Sequence, residues 1–158
     1  ICGIFITGSN KNITNSTVST GDMAEYAADA FSFKYPSSWQ QANLTDEDLE
    51  SAIFFETEDN ATVEYYNITS EASSLKDINK ERISNAIYTG DSVELLDSIA
   101  LKDMNASNII LESADGNYIR YVSLLDNGEL YVFKITGDSI DSVTTDSINS
   151  MLKSAALA

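Results

Sequence analysis

The sequence predicts an α+β sandwich built on a mostly antiparallel sheet. Two groups of β-prone runs are separated by short turn signals, and helical periodicity occurs in the middle of the chain and at its C-terminal end. A length of 158 residues suits one domain better than two. The predicted order is strand, hairpin, helix, strand, three-stranded meander and closing helix.

The first predicted strand lies in "AFSFKYP", where Phe31, Phe33 and Tyr35 alternate with polar residues. This period of two is typical of a half-buried strand. Pro36 is expected to end the strand, because proline fixes φ and has no amide hydrogen for the next ladder bond. We expect Trp39 to fold back against the end of the sheet and to be buried there.

The hairpin is predicted from "SAIFFETED" and "ATVEYYNITS", which flank a turn signal at residues 58–60. Before it, Thr45 in "NLTDEDLE" is a candidate N-cap of a short helix or turn. After it, Ser74 and Gly90 are candidate caps of a central helix. The apolar face of that helix is predicted to carry Leu75, Ile78, Ile83, Ala86 and Ile87.

The C-terminal half predicts strands and one closing helix. "SVELLDSIALKD" indicates a strand that is interrupted or bent near Asp97. Three further β-prone runs are joined by turns at Asp115-Gly116 and Asn127-Gly128, where glycine supplies the positive φ that such turns need. In "DSVTTDSINSMLKSAAL" one helical stripe is predicted, and its members are Ile148, Met151, Leu152 and Ala155.

The stretch "FSFKYPSSW", with the pattern that follows it, resembles the PsbP-like domain family. The residues that carry the resemblance are Phe31, Phe33, Tyr35, Pro36 and Trp39, and the match covers roughly residues 30–156. The resemblance implies a PsbP-like α/β/α sandwich with about six strands, a central helix and a C-terminal helix. The family includes small bacterial and archaeal lipoproteins of unknown role. Its photosynthetic members are extrinsic subunits of a membrane complex, a role that this acidic, histidine-free chain does not encourage.

Composition excludes several classes of function. Nine Lys and Arg against 25 Asp and Glu give a net charge of −16, so phosphate backbones should repel the protein and nucleic acid is not an expected partner. No histidine is present, which removes the usual proton shuttle and the commonest metal ligand. Cys2 is the only cysteine, so no internal disulfide can form. We therefore expect no cofactor, no metal site and no catalytic residue.

The N-terminus and the sequons indicate an exported protein. Residues 1–8 form an apolar segment, "ICGIFITG", residues 9–22 form a polar linker, and residues 23–158 form the expected domain. The apolar segment is either an anchor remnant, with Cys2 as a candidate lipidation site, or an additional strand. Asn-x-Ser/Thr sequons, each a candidate glycosylation site, occur at Asn12, Asn15, Asn43, Asn60, Asn67 and Asn105. Asn67 is expected to point outward from its strand.

Two acidic clusters are the remaining candidates for chemistry: Asp46, Glu47, Asp48 and Glu50 in one, and Asp138, Asp141 and Asp146 in the other. Neither fits the calcium-loop pattern, and both are most simply solvated helix starts. An aromatic ligand platform formed by Tyr35 and Trp39 is the alternative role for the family-motif residues.

Three hypotheses for function remain. The first is a non-enzymatic, extracellular domain anchored to the cell surface that binds a protein or surface polymer as a monomer. The second is a structural subunit of a surface filament, in which the segment 1–8 is donated as a strand to the next subunit. The third, weaker, is a carboxylate-based enzyme. In the first hypothesis the protein meets the membrane only through its N-terminus.

Overall fold

The computed structural model describes residues 23–27, 31–42, 53–57, 60–102 and 104–157. The described residues divide into two compact units. The first unit comprises those within 23–39, 101–104 and 145–157, and the second comprises those within 40–100 and 105–144. The predicted segment 1–8, the linker 9–22 and the turn after Thr45 lie outside the described residues.

The second unit contains a seven-stranded sheet in which every strand pair is antiparallel. The strand order is β3-β4-β5-β9-β8-β7-β6. The α+β class and the mostly antiparallel sheet are therefore confirmed, with seven strands where about six were expected. The strands are β3 (Gln40–Ala42), β4 (Ile53–Glu56), β5 (Thr62–Thr69), β6 (Ser92–Ala100), β7 (Asn105–Glu112), β8 (Tyr118–Asp126) and β9 (Glu129–Gly137).

The hairpin and the meander were both predicted correctly, and β5 joins them by pairing with β9. The turn between β8 and β9 has positive φ at both Asn127 (53°) and Gly128 (83°). These angles match the twist of a two-residue hairpin, and they explain why Asn and Gly stand there. No local feature of the sequence predicts the pairing of β5 with β9, because the two strands lie far apart along the chain.

Helix α1 (Leu75–Thr89) begins and ends at the predicted caps. The Ser74 side chain accepts a hydrogen bond from the Asp77 amide, and Gly90 adopts a left-handed φ of 88°. Ile78 and Ala86 are buried against the sheet as predicted. Ile87 was predicted to be on the same face, but it is 72% exposed. The buried stripe follows i, i+4 spacing through residues 78, 82 and 86, and Ile87 lies about 100° away from it.

Strand β6 has an irregularity at a different position from the one predicted. The register with β7 shifts between Val93 and Leu95, whereas Asp97 pairs in register with Asn108. The expected bend at Asp97 was therefore wrong, and a β-bulge at residue 94 replaces it. A bulge turns the side chains beyond it to the opposite face of the sheet, so Val93 and Leu95 lie on opposite faces.

The first unit contains a three-stranded sheet of β1 (Met23–Ala27), β2 (Phe31–Pro36) and β10 (Ala156–Leu157), with β2 in the centre. Phe31 and Phe33 are buried, which confirms the predicted alternation, and the Tyr26 and Phe33 rings stack with centroids 5.1 Å apart. Trp39 is only 6% exposed, as predicted. Strands β1 and β10 were not predicted, because both are short and lack strong alternation.

The predicted single closing helix is wrong. It is divided into α2 (Ile140–Val143), which belongs to the second unit, and α3 (Asp146–Ser154), which belongs to the first. Thr145 has extended backbone angles and its side chain accepts a hydrogen bond from the Ile148 amide, so it acts as an N-cap and starts a new helix. Ile148, Met151 and Leu152 are buried on α3, as predicted, and buried Ala155 follows the end of α3.

Candidate functional site

Strand β6 forms one edge of the seven-stranded sheet. Within the part of the chain that the structure describes, β7 is its only strand partner. In an edge strand, every second residue directs its backbone N–H and C=O groups away from the sheet. The outer side of β6 therefore offers hydrogen-bonding groups to an incoming strand.

Apolar side chains on this edge are exposed. Val93, Leu95 and Leu96 have 39%, 40% and 46% of their surface accessible. We call these three residues the β6 edge surface. Because Val93 and Leu96 pair with Leu111 and Ile109, they lie on the face that packs α1, and Leu95 lies on the other face. An incoming strand could thus contact apolar groups on both sides of the edge.

The same strand also carries charges that limit which partners suit it. Glu94 and Asp97 are both exposed on β6. Acidic side chains and a bulge on an edge strand disfavour pairing with a second copy of the same edge. A strand that carries basic residues meets no such repulsion.

An open cleft of about 450 Å³ lies between α1 and the sheet. We call it the Arg82 cleft. Its apolar wall is formed by residues of the helix and of four strands, and Glu81 and Asp91 also border it. The apolar members are Ile68, Ile78, Ala86, Leu111, Ile119 and Leu130. Clefts of this size hold small organic ligands.

Arg82 is the cation of this cleft, and neutral groups hold its guanidinium. Nη1 donates a hydrogen bond to Ser123 Oγ, and the Tyr66 hydroxyl is a second hydrogen-bonding partner. The guanidinium carbon lies 4.3 Å from the centre of the Tyr121 ring, which is the geometry of a cation–π contact. Burial lowers the pKa of Arg82, while the two tyrosines and the charge of Glu81 act in the opposite direction. No carboxylate of the described residues forms an ion pair with it.

Arg120 occupies the opposite face of the sheet from Ser123 and is 4% exposed. Its Nε donates to Asn108 Oδ1 over 2.7 Å, and its Nη1 donates to the Val143 carbonyl over 2.9 Å. Asn108 in turn donates from Nδ2 to Asp97 Oδ1 over 2.9 Å. Burial lowers the pKa of Arg120 to about 10, and the Asp97 charge acts in the opposite direction. Arg120 and Asn108 are buried and hydrogen-bonded to each other, and only Asp97 at the end of the network is exposed, so we interpret the network as structural.

Three of the six sequons can be located. Asn60 and Asn105 are exposed, and Asn60 has a positive φ of 60° at the end of the β4–β5 turn. Asn67 shares a face with Val63 and Tyr65, which are buried. Asn67 itself is half-buried and donates from Nδ2 to Glu129 Oε2 over 2.5 Å, so it is not the outward-pointing residue that was predicted. The other three sequons, at Asn12, Asn15 and Asn43, lie outside the described residues, as does Cys2.

The predicted acidic residues are not brought together into a site. Asp138, Asp141 and Asp146 are exposed, and the last two occupy first turns of α2 and α3. The other cluster, Asp46, Glu47, Asp48 and Glu50, lies outside the described residues. Among the residues that are described, no group of three acidic or cysteine side chains is arranged to hold a metal ion.

The family-motif residues have structural positions in the first unit. Phe31, Phe33 and Trp39 are buried, and Tyr35 is half-buried beside Phe33, with ring centroids 6.2 Å apart. Burial raises the pKa of Tyr35. Because little of the Trp39 indole is accessible, these rings do not form an open platform for a ligand.

Sequence reasoning missed both the β6 edge surface and the Arg82 cleft. The pattern of "SVELLDSIALKD" predicts a strand but does not indicate that the strand lies at a sheet edge, and Arg82 lies inside a helix whose predicted apolar face comprises other positions. The available signal was a basic residue, Arg82, that lies four positions from both Ile78 and Ala86 and therefore on the same helical face. Within the residues that the structure describes, no helix has the length and apolar character needed to cross a bilayer.

No protein-family model matches this sequence, and no curated protein is significantly similar to it. Solved structures do share its fold. The cyanobacterial PsbP of Synechocystis sp. aligns with a TM-score of 0.66 and 11% identity, over 92% of this chain and 98% of that protein.

Two other structures are similar at lower scores. A protein from Bacteroides thetaiotaomicron has a TM-score of 0.55 and 13% identity over 81% of this chain, which spans only 45% of that protein. A Pseudomonas aeruginosa protein of unknown function, described as a candidate regulator, has a TM-score of 0.50 and 15% identity over 78% of this chain and 87% of its own length. At these identities the likeness concerns the fold alone. The chain has a PsbP-like α+β fold.

Proposed function

We propose that this chain is a non-enzymatic, extracytoplasmic surface domain that is tethered to a membrane through its N-terminus and binds a protein partner by strand addition at β6. The observation that carries the proposal is the outer side of β6, which pairs with no other strand of the described residues and exposes Val93, Leu95 and Leu96. Strand addition draws affinity from backbone hydrogen bonds and selectivity from the side chains that flank them.

The compartment is inferred from the sequence. Six sequons, a net charge of −16 and an apolar N-terminal run ahead of a polar tract are typical of an exported, anchored protein. The resemblance to small PsbP-like lipoproteins supports the same inference and makes Cys2 the candidate lipidation site. In this role the chain needs no metal, cofactor or catalytic group.

The chemistry of the edge selects the partner. A strand that adds to β6 must tolerate Glu94 and Asp97 and must offer apolar side chains to the β6 edge surface. A β-prone segment with alternating apolar and basic residues meets both requirements. A uniformly anionic surface polymer would be repelled by these acids.

A photo-reactive amino acid at Leu96 tests this proposal in cells of the natural source. We expect one defined cross-linked protein from position 96 and none when the reactive group replaces Lys80, which is exposed on α1. The cross-linked protein is then purified, and we expect it to bind the unmodified chain and to lose at least tenfold in affinity for Leu96→Lys. Equal affinity for both chains would reject strand addition at β6.

A filament subunit is the second candidate function. The outer side of β6, to which no described strand is paired, could accept the uncharged run "ICGIFITG" from a neighbouring copy, since that run lacks the acids that oppose β6–β6 pairing. Sedimentation velocity of the full chain distinguishes the candidates. Concentration-dependent polymers that Leu96→Lys abolishes would favour the filament, and a monomer at all concentrations would favour the surface domain.

A further inference from the structure

We propose that the Arg82 cleft is a binding site for a small organic carboxylate with an apolar body. The site is separate from the β6 edge surface and has a different kind of ligand. Three observations carry the proposal: an incompletely used guanidinium, an apolar wall, and acidic groups that limit the charge of the ligand.

The Arg82 guanidinium has more N–H donors than it has hydrogen-bonding partners among the described residues. An arginine side chain carries about five N–H donors in a planar fork. Among the described residues, only Ser123 and Tyr66 form hydrogen bonds with Arg82, and neither is charged. The ring of Tyr121 covers the guanidinium at 4.3 Å and fixes its plane. A carboxylate that approaches the edge of this plane can accept two parallel hydrogen bonds.

The position of Arg82 favours such a ligand energetically. Its side chain is half-buried on the cleft side of α1. Glu81 attracts this partly desolvated cation but forms no ion pair with it, and an incoming carboxylate supplies a counter-charge in direct contact. If Arg82 served only to hold α1 against the sheet, a neutral side chain that forms a hydrogen bond with Ser123 would serve as well.

The walls of the cleft define the rest of the ligand. Ile78 and Ala86 of α1 and Ile119 and Leu130 of the sheet line the cleft, and Ile78 packs in one core cluster with Leu130. An alkyl or aryl group would be buried there, and the volume of about 450 Å³ accommodates about a dozen non-hydrogen atoms with room remaining.

The acidic groups around the cleft favour a carboxylate over a phosphate as the ligand. Glu81 and Asp91 border the same cleft, and the chain as a whole carries −16. A doubly charged phosphate would be repelled by both acids while gaining only one cation. A singly charged carboxylate attached to an apolar group meets less repulsion, and this sets the ligand class.

The test uses the full chain and 4-phenylbutyrate as the probe, followed by amide NMR titration. We expect chemical-shift changes at Arg82, Ile119 and Tyr121, with a dissociation constant of about 1 mM or lower. The neutral analogue 4-phenylbutanamide should bind at least tenfold more weakly, and inorganic phosphate should cause no change at these residues. Equal binding of acid and amide, shifts confined to other regions, or no shifts at 10-fold the expected constant (about 10 mM) would each overturn the proposal.

Variants provide a second line of evidence. Arg82→Gln should weaken binding of 4-phenylbutyrate by about 10- to 100-fold, because it removes a charge-assisted hydrogen bond. Lys80→Gln removes the same charge from an exposed position on α1 and should leave binding unchanged. Unchanged affinity in Arg82→Gln would reject the site. If that variant does not fold, the titrations of the unmodified chain with acid and amide decide the question alone.

Discussion

Arg120 donates a hydrogen bond from Nε to Oδ1 of Asn108, over 2.7 Å, between two strands of the seven-stranded sheet. Both side chains are almost fully buried, at 4% and 3% exposure. A buried cation requires such partners, because it has lost most of its hydration. Asn108 also links this cation to the exposed Asp97.

Asn108→Ala should destabilise the protein strongly. It leaves the Arg120 Nε–H without its acceptor in a buried position, and we expect a loss of about 2 to 4 kcal/mol in the free energy of unfolding, measured by urea denaturation. The double variant Asn108→Leu/Arg120→Met removes both partners of this bond, so it should recover part of the loss although the Val143 carbonyl also loses a donor. A double variant that is no more stable than Asn108→Ala would contradict this account.

Trp39→Ala should lower the free energy of unfolding by about 3 to 5 kcal/mol, because it removes a large ring that is 6% exposed. Tyr88→Ala is the matched control, since Tyr88 is 91% exposed on α1 and should change stability by less than about 0.5 kcal/mol. Trp39 is the only tryptophan of the sequence, so its fluorescence reports its environment directly. Emission typical of water-exposed indole in the native protein would refute the burial.

Stability should fall as pH rises above 10, and Tyr66 should contribute to the fall. Burial raises the pKa of Tyr66, while Arg82 opposes the shift. The unfolded chain therefore ionises this tyrosine first, so the stabilisation that is present below pH 10 is lost as pH rises through the folded pKa. Arg120, whose pKa is lowered, acts in the opposite direction.

Comparison of Tyr66→Phe with the unmodified chain isolates the contribution of Tyr66, since Arg120 is present in both. The measurement is the free energy of unfolding at pH 9, 10 and 11. We expect the unmodified chain to lose more stability over this range than Tyr66→Phe. Parallel pH profiles for the two proteins would contradict the prediction.

Glycan occupancy should differ among the three located sequons. Asn60 and Asn105 are exposed, whereas the Asn67 amide nitrogen is engaged with Glu129. Glycopeptide mass spectrometry of protein from its natural source should therefore find higher occupancy at Asn60 and Asn105 than at Asn67. Occupancy at Asn67 alone would contradict the accessibility argument, and the bare polypeptide mass would end the glycoprotein hypothesis.

Removal of residues 1–20 should leave the melting temperature of the protein nearly unchanged if the N-terminal run is an anchor remnant. If Ile4, Phe5 and Ile6 instead form a paired strand, each side chain would contribute roughly 1.5 to 3 kcal/mol of burial. Differential scanning calorimetry of the full and shortened chains measures the difference. A shortened chain that melts well below the full chain, or that loses a defined oligomer, would promote the filament hypothesis.

Local sequence patterns were sufficient to predict features that depend on the backbone conformation of one or two residues or on a short hydrophobic period. Ser74 and Gly90 marked the ends of α1, because a hydroxyl can accept an orphan amide and glycine tolerates positive φ. Asn127-Gly128 marked a hairpin for the same conformational reason. The alternation of Phe31 and Phe33 identified a half-buried strand.

Only the tertiary structure decided which segments meet. The hydrogen bond between Asn67 and Glu129 spans 62 residues, and nothing local to either strand specifies the register that pairs Asn67 with Tyr131. Ile87 is exposed and Arg82 is half-buried in the cleft because the packing of α1 on the sheet selected one stripe among several that the helical period allowed. Both sites proposed for this protein therefore arise from non-local packing: β6 is an edge only because no other described strand pairs with it, and the Arg82 cleft exists only where the helix crosses the sheet.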